Sequence, residues 1–250
     1  MQKNKISVTI LTKDSQNYIE ECLSALVRFD EVIVLDNGSS DRTIEIAESF
    51  ENVVVKRDKF IGFGPLKQLA VSYTSNDWVL SVDSDEIFSD SLVSEILELK
   101  LDSRSVYSIL RDNYYNKKLI QCCGWDNDFV ERLFNKTEVN FNDKQVHESL
   151  VIPPEFTIVK LKNSFKHYTF DIAEELLYKL NKYSTLYAEE NRGKKNSSAF
   201  IAFSKATFAF FKNYILQKGF LFGYEGLLIS ISNANGVFYK YIKLYEENKK

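Results

Sequence analysis

The sequence predicts an α/β fold with a mostly parallel sheet and a helical C-terminal extension. Three observations carry this. Over the first hundred residues, short apolar runs alternate with segments of helical periodicity. Three of those runs end in clusters of Asp, Asn, Ser and Gly. The last eighty-five residues lose the strand signal and become helical, basic and aromatic.

Ile6 to Leu11 is a β-rich run, followed by Asp14 and Ser15 as a candidate helix cap. Tyr18, Ile19, Cys22, Leu23 and Leu26 then repeat at helical spacing. Glu31 to Leu35 is a second strand and ends at Asp36-Asn37-Gly38-Ser39-Ser40-Asp41, a loop and cap before a helix through Ile44, Ala47 and Phe50. Asn52 to Lys56 is a third strand. Gly62, Gly64 and Pro65 lead into a helix near Lys67 to Tyr73. Asp77 to Val82 is a fourth strand, ending at Asp83-Ser84-Asp85-Glu86, and Ser89 and Asp90 cap the next helix. Strands are expected at 106–110, 129–134 and 156–161. Helices are expected at 171–191, at 198–217, and at 224–246 with a break near Asn233–Gly236. Right-handed crossovers put the ends of parallel strands on one sheet edge, so the clusters at Thr12–Asp14, Asp36–Asp41 and Asp83–Glu86 should converge in one cleft.

The composition narrows the function. At 250 residues, 44% hydrophobic and 27% charged, the chain can bury a substantial core without disulfide or metal staples. Nine glycines and three prolines exclude low complexity. Cys22, Cys122 and Cys123 form no disulfide framework and no zinc pattern, and place the chain by default in a reducing, cytoplasmic setting. The apolar run near the start is too short for a secretory segment, and none of 18 residues occurs to span a bilayer. The net charge of −3 is uneven. Residues 1–150 hold 17 Lys/Arg and 26 Asp/Glu, whereas residues 151–250 hold 15 and 9 together with 20 of the 35 aromatics. An acidic front suits cation binding; a basic, aromatic back suits anionic lipid or glycolipid. The spread-out basic residues match no nucleic-acid motif.

Asp83-x-Asp85 after a buried strand is the sharpest signal. Two carboxylates there can reach one divalent cation, whose remaining positions phosphate oxygens and water would fill. The plainer reading is a solvated acidic turn, and convergence with two other clusters favours the first. Asp36 can accept from a uracil imide or a ribose hydroxyl, or simply from an Asx turn. Lys67 can face a phosphate as a point charge, or be a solvated helix lysine.

These residues resemble glycosyltransferase family 2, with its Rossmann-like GT-A fold: Ile10-Leu11-Thr12-Lys13-Asp14, Val34 to Thr43, and Ser81 to Glu86. Gly62-Phe63-Gly64-Pro65-Leu66-Lys67-Gln68, Gly124 to Phe134, Val146-His147-Glu148, His167-Tyr168 and Leu180 to Thr185 are similar to a bacterial branch of lipopolysaccharide core β-1,4-glucosyltransferases. The resemblance runs over about residues 6–245 in family order. Leu66, Gln68, Asn37 and Cys122-Cys123 depart from the branch pattern, which bears on sugar and acceptor identity.

The resemblance implies inverting transfer of a hexose, glucose first, from a UDP-sugar to a cell-surface glycan or glycolipid such as lipopolysaccharide inner core, with Mg²⁺ or Mn²⁺. Thr12, Asp14, Asp36, Gly38, Ser39, Lys67 and Asp83 would hold the nucleotide sugar. Asp85, with Asp83 and His147, would hold the metal. Asp128 would be the general base, with Asp126 its rival, pointing to the opposite face if the segment is extended. Trp125, Arg132 and Glu148 would face the acceptor or the diphosphate; His167 is assigned mainly to structure. The GT-A domain is placed at 1–165, its nucleotide-sugar half at 1–100 and its acceptor half at 101–165. Helices at 166–250 either dock peripherally on the cytoplasmic face of the inner membrane or pack on the core or another subunit. The alternatives are a family 2 enzyme building capsule, glycoprotein or glycolipid from another UDP-sugar, a nucleotidyltransferase, and a non-catalytic glycan-binding protein of the same fold. The oligomeric state is not specified.

Overall fold

The structure, a computed structural model, describes residues 4–145 and 148–250. Its elements run β1 (Ile6–Thr12), α1 (Ile19–Ala25), β2 (Glu31–Asp36), α2 (Thr43–Ala47), β3 (Val53–Arg57), α3 (Phe63–Ser72), β4 (Trp78–Asp83), β5 (Glu86–Phe88), α4 (Asp90–Glu98), β6 (Ser105–Tyr115), β7 (Lys118–Leu119), β8 (Phe129–Asn135) and β9 (Thr157–Phe170). Then come α5 (Ala173–Asn191), α6 (Ala199–Phe211), a π turn (Lys212–Leu216), a 3-10 turn (Gly219–Phe222) and α7 (Gly223–Glu247).

Among the described residues the strands form one nine-stranded sheet of order β3-β2-β1-β4-β8-β6-β9-β5, with β7 beside β6. The β3-β2-β1-β4 portion is parallel, and the pairs β4–β8, β8–β6, β5–β9 and β6–β7 are antiparallel. Chain order reverses at β1, between β2 and β4. Crossover helices cover both faces of such strands, so β1 and β2 are buried almost throughout, as their Val/Ile/Leu runs require. β9, at the antiparallel end, is mostly exposed or half-buried, with Leu161 and Phe165 buried.

The chain separates into two compact units, Met1–Arg111 with Phe129–His167, and Asp112–Asp128 with Tyr168–Lys250. In the first unit, Ile6, Val8, Ile10, Val32, Val34 and Leu80 are fully buried. In the second, Tyr115, Ile120, Cys122, Cys123, Leu176 and Ile229 form the core, with Trp125 and Phe170 packed on it.

Ser89 caps α4 as its sequence predicts, its Oγ accepting from Leu92 N at 3.2 Å. Ser89→Ala should cost about 1 kcal/mol in urea unfolding, and an unchanged midpoint would show the cap to be idle.

Several details differ from the sequence reading: β9 runs on to Phe170, and the helix expected at 198–217 gives way to a π turn after Phe211. α1 starts at Ile19 with no side-chain cap, because Asp14 serves a different loop. α2 stops at Ala47, short of Phe50. α7 runs unbroken through Asn233–Gly236. Asn233 Nδ2 donates to Asn213 Oδ1 at 2.9 Å, and a Cβ on Gly236 would meet only Leu180 at an ordinary 3.7 Å. Packing along that face offsets the low helix propensity of Asn and Gly.

Candidate active site

The parallel register sets the site. Thr12, the last residue of β1, is paired with Asp36, the last of β2, and Leu11 is paired with Asp83, the last of β4. Three polar loops therefore leave three adjacent strand ends at the point where strand order reverses, the place where α/β sheets bind ligands.

The loops are laced together. Asp14 Oδ1 accepts from Ser40 N at 2.7 Å, and Asp14 N donates to Ser39 Oγ at 2.9 Å. Ser15 N donates to Thr43 Oγ1 at 2.7 Å, and Gln16 N to Asp41 Oδ2 at 3.1 Å. Ser15 Oγ lies 2.8 Å from Ser84 Oγ, which ties the first loop to the third. Asp14 has φ +50°, a left-handed turn that Asp tolerates. The expected convergence of the three clusters is thus present.

Asp36 is buried, and its carboxylate accepts from Gly38 N at 3.0 Å and from Ser39 N at 3.1 Å. This is the Asx turn foreseen as the plainer reading. Gly38, at φ +107°, makes the turn possible. Beside it, Thr12 Oγ1 is buried without a hydrogen-bond partner. A buried orphan hydroxyl costs free energy unless a ligand or water completes it.

The α3 start explains its glycines. Phe63 N and Gly64 N donate to the carbonyls of Gln145 and Lys144, at 3.1 and 3.0 Å. A Cβ on Gly64 would stand 2.1 Å from the Asn142 carbonyl oxygen, so only glycine allows the approach. Gln68 Nε2 reinforces the contact by donating to the Phe141 carbonyl at 2.8 Å. These bonds hold segment 141–145 against α3, and Glu148 follows just beyond. Val146 and His147, and with them the expected metal role of His147, lie outside the described residues.

Lys67, four residues along α3, is buried and bridges Asp83 Oδ1 at 3.1 Å and Glu148 Oε1 at 3.2 Å. Arg132 on β8 is equally buried. Its Nη2 reaches Asp83 Oδ2 at 2.8 Å and also pairs with Glu86 Oε1. Glu86 is fully buried, and its other oxygen accepts from Asp83 N at 3.0 Å. Burial pushes the Asp83 pKa upward, but the adjacent Lys67 and Arg132 charges outweigh it and hold the carboxyl well below its usual range. Burial pushes Glu86 up, against the pull of Arg132. Burial also raises the Cys22 thiol, with Glu86, Asp85 and Asp83 adding to it.

Asp85 stands apart from this knot, half-exposed, with Oδ2 3.5 Å from His167 Nε2. Strand pairing explains the meeting, since Glu86 is paired with His167 between β5 and β9. The sequence reading gave neither Glu86 nor His167 a ligand role: Glu86 stood in the Asp83–Glu86 cluster expected in the cleft, and His167 was assigned mainly to structure. Both lie in resemblance motifs, but nothing in the sequence pairs them with Arg132 and Asp85.

In the second unit, Asp128 Oδ2 accepts from Asn113 Nδ2 at 3.0 Å. The same amide donates to the Trp125 carbonyl at 3.3 Å and accepts from Thr169 Oγ1 at 3.1 Å. Asp126 is exposed and accepts from Asn127 Nδ2 at 3.2 Å. Asn127 has φ +54°, so 126–128 is a turn and not the extended segment that would have set Asp126 and Asp128 on opposite faces. Trp125 is half-buried, its ring centroid 6.0 Å from that of Phe170.

Acidic loops at the strand-order reversal of an α/β sheet define a ligand-binding domain of the Rossmann-like class. The chain belongs to glycosyl transferase family 2, whose family model matches residues 7–149. It is 32% identical to an uncharacterized glycosyltransferase of Rickettsia bellii, over 97% of this chain and 86% of that one. It is 23% identical to the lipopolysaccharide core biosynthesis glycosyltransferase LpsC of Rhizobium meliloti, over 98% and 94%. Among solved structures it is similar to residues 1–349 of S. aureus TarS in complex with UDP-GlcNAc, with 13% identity over 98% and 90% of the two chains and a TM-score of 0.48. The fold is of the GT-A type, a mixed sheet with C-terminal helices.

Proposed function

We propose that this glycosyltransferase transfers a hexose, glucose first among candidates, from a UDP-sugar to a hydroxyl of a cell-surface glycan of the lipopolysaccharide core type, with inversion. Family membership and the likeness to LpsC along nearly the whole chain support the reading. The observation that carries it is the lacing of three strand-end loops around an acidic knot.

The knot suits a divalent cation. Lys67 and Arg132 pair with three carboxylates, Asp83, Glu86 and Glu148, and Asp85 stands beside them, so four carboxylates meet two cations and two formal negative charges are in excess. Both oxygens of Asp83 already accept from cations, whereas Asp85 has His167 beside it and no cation of Lys or Arg among the described residues. No group of three or more His, Cys, Asp or Glu side chains forms a metal cage among the described residues. One carboxylate with a neighbouring imidazole fits an ion such as Mg²⁺ or Mn²⁺, which takes few protein ligands and completes its shell with phosphate and water. When bound, such an ion supplies charge to stabilise a diphosphate leaving group.

The chain's own residues do the rest. Asp36, Gly38, Ser39 and Thr12 line the nucleotide end, with Asp14 bracing their loop. The acceptor oxygen attacks the anomeric carbon as the bond to the diphosphate oxygen breaks, and its proton passes to the Asp128 carboxylate. Trp125 offers an apolar face to an acceptor sugar ring.

Calorimetry with a panel of nucleotide sugars, with and without Mn²⁺, tests the assignment. UDP-glucose should bind, and its affinity should fall about tenfold or more without Mn²⁺ or in Asp85→Ala. Preference for another UDP-hexose would change the sugar and keep the mechanism. Absence of binding by every nucleotide sugar would overturn the reading.

A further inference from the structure

We propose that the helical C-terminal region carries a docking face for an anionic lipid bilayer, centred on α6 and the two turns after it. The proposal is independent of the transfer reaction.

Of twenty-two exposed large apolar side chains among the described residues, nine fall within residues 200–224, a tenth of the chain. Phe200, Phe203, Phe208, Phe211, Leu216 and Leu221 are each more than half exposed. On α6, the 3.6-residue repeat sets Phe200, Phe203, Phe208 and Phe211 on one side, while Ala202 on the other side is fully buried. A surface of this kind on a water-soluble face marks an interaction site.

Charge identifies the partner. From Arg192 to Tyr224 the chain has six Lys or Arg and no Asp or Glu. Lys212 and Lys218 are exposed, and neither makes an ion pair among the described residues. Aromatic side chains flanked by unpaired lysines suit the headgroup boundary, where rings enter and lysines meet lipid phosphates. A second copy of this chain would bring the same unpaired positive charge against itself. No helix among the described residues is long and apolar enough to cross a membrane.

The structure also narrows the sequence expectation, which allowed docking anywhere along the helices at 166–250. The end of α7 is occupied internally. Lys243 Nζ donates to Ser184 Oγ at 2.9 Å and Thr185 Oγ1 at 2.8 Å on α5. Lys240 Nζ lies 3.8 Å over the Tyr187 ring, and Tyr241 packs edge-on against it.

Flotation of the full chain with vesicles tests this, with phosphatidylglycerol–phosphatidylcholine compared against phosphatidylcholine alone. The wild type should float with the anionic vesicles and be released by salt. Lys212→Gln/Lys218→Gln should weaken binding by about thirtyfold, at about 1 kcal/mol per lysine. Phe200→Ser/Phe203→Ser/Phe208→Ser should abolish it with an unchanged far-UV circular dichroism spectrum, since these side chains lie outside the core. Equal flotation of the Phe variant, or no flotation of the wild type, would overturn the proposal. So would a wild-type dimer in sedimentation that the Phe variant loses, because the face would then belong to a second copy.

Discussion

Asp128→Asn should lower kcat by about 10²- to 10⁴-fold with donor affinity unchanged, the loss expected when a general base is removed from a transfer step. The substitution is nearly isosteric. An Asn at 128 still offers a carbonyl oxygen to Asn113 Nδ2, which now donates to Asp128 at 3.0 Å. The bonds of Asn113 to Trp125 and Thr169 are untouched, and an unchanged circular dichroism spectrum is the control for folding. Asp126→Asn is the control. Asp126 is exposed on a turn and held only by its neighbour Asn127 among the contacts described, so its loss should alter kcat less than about twofold, as an isolated surface change. Steady-state kinetics of the two variants with saturating donor separates the assignments. If Asp126→Asn carries the large loss, the base is Asp126. If neither does, the proton leaves by another route.

The sequence made the parallel half of the sheet legible because its information is local. Ile6–Thr12, Glu31–Asp36 and Trp78–Asp83 are apolar runs bounded by polar loops, and right-handed crossovers leave few ways to arrange them. The antiparallel half is specified by partners distant in sequence. Thr157–Phe170 has 14 residues, but only its first few carry a strand signal, and the three residues of β5 are too short to show periodicity. The site follows the same division. Asp36, Asp83 and Asp85 announce themselves at strand ends. Glu86 matters through Arg132, 46 positions away, and His167 meets Asp85 only because β9 pairs with β5. Lys67 was visible as a positive charge near a glycine pair, but not its two carboxylates, of which Glu148 depends on the chain at 142–145 being held against α3.

Arg132→Met should destabilise the protein by about 3–5 kcal/mol, the scale for removing one partner of a buried ion pair. Glu86 is fully buried, and Arg132 is its ionic partner. Asp83 keeps Lys67 at 3.1 Å, so most of the cost falls on Glu86. The double variant Arg132→Met/Glu86→Leu should recover most of the loss, because replacing both members of a buried pair by apolar groups is often close to neutral. The pH dependence has a defined sign. Burial already raises the Glu86 pKa, so its contribution to stability is full below the unfolded carboxyl value of about 4.3 and is lost as pH rises through the folded value. Without Arg132 that folded value climbs further, and the deficit of the single variant should widen from pH 5 to pH 7. Asp83 acts in the opposite direction. Its depressed pKa makes its contribution full above the unfolded value of about 3.9, and acid removes it in wild type and variant alike. Urea unfolding at pH 5 and pH 7 for the wild type, the single and the double variant measures all of this. A single-variant loss under about 1 kcal/mol at both pH values would mean that Glu86 is folded in neutral form, with Arg132 serving Asp83 alone.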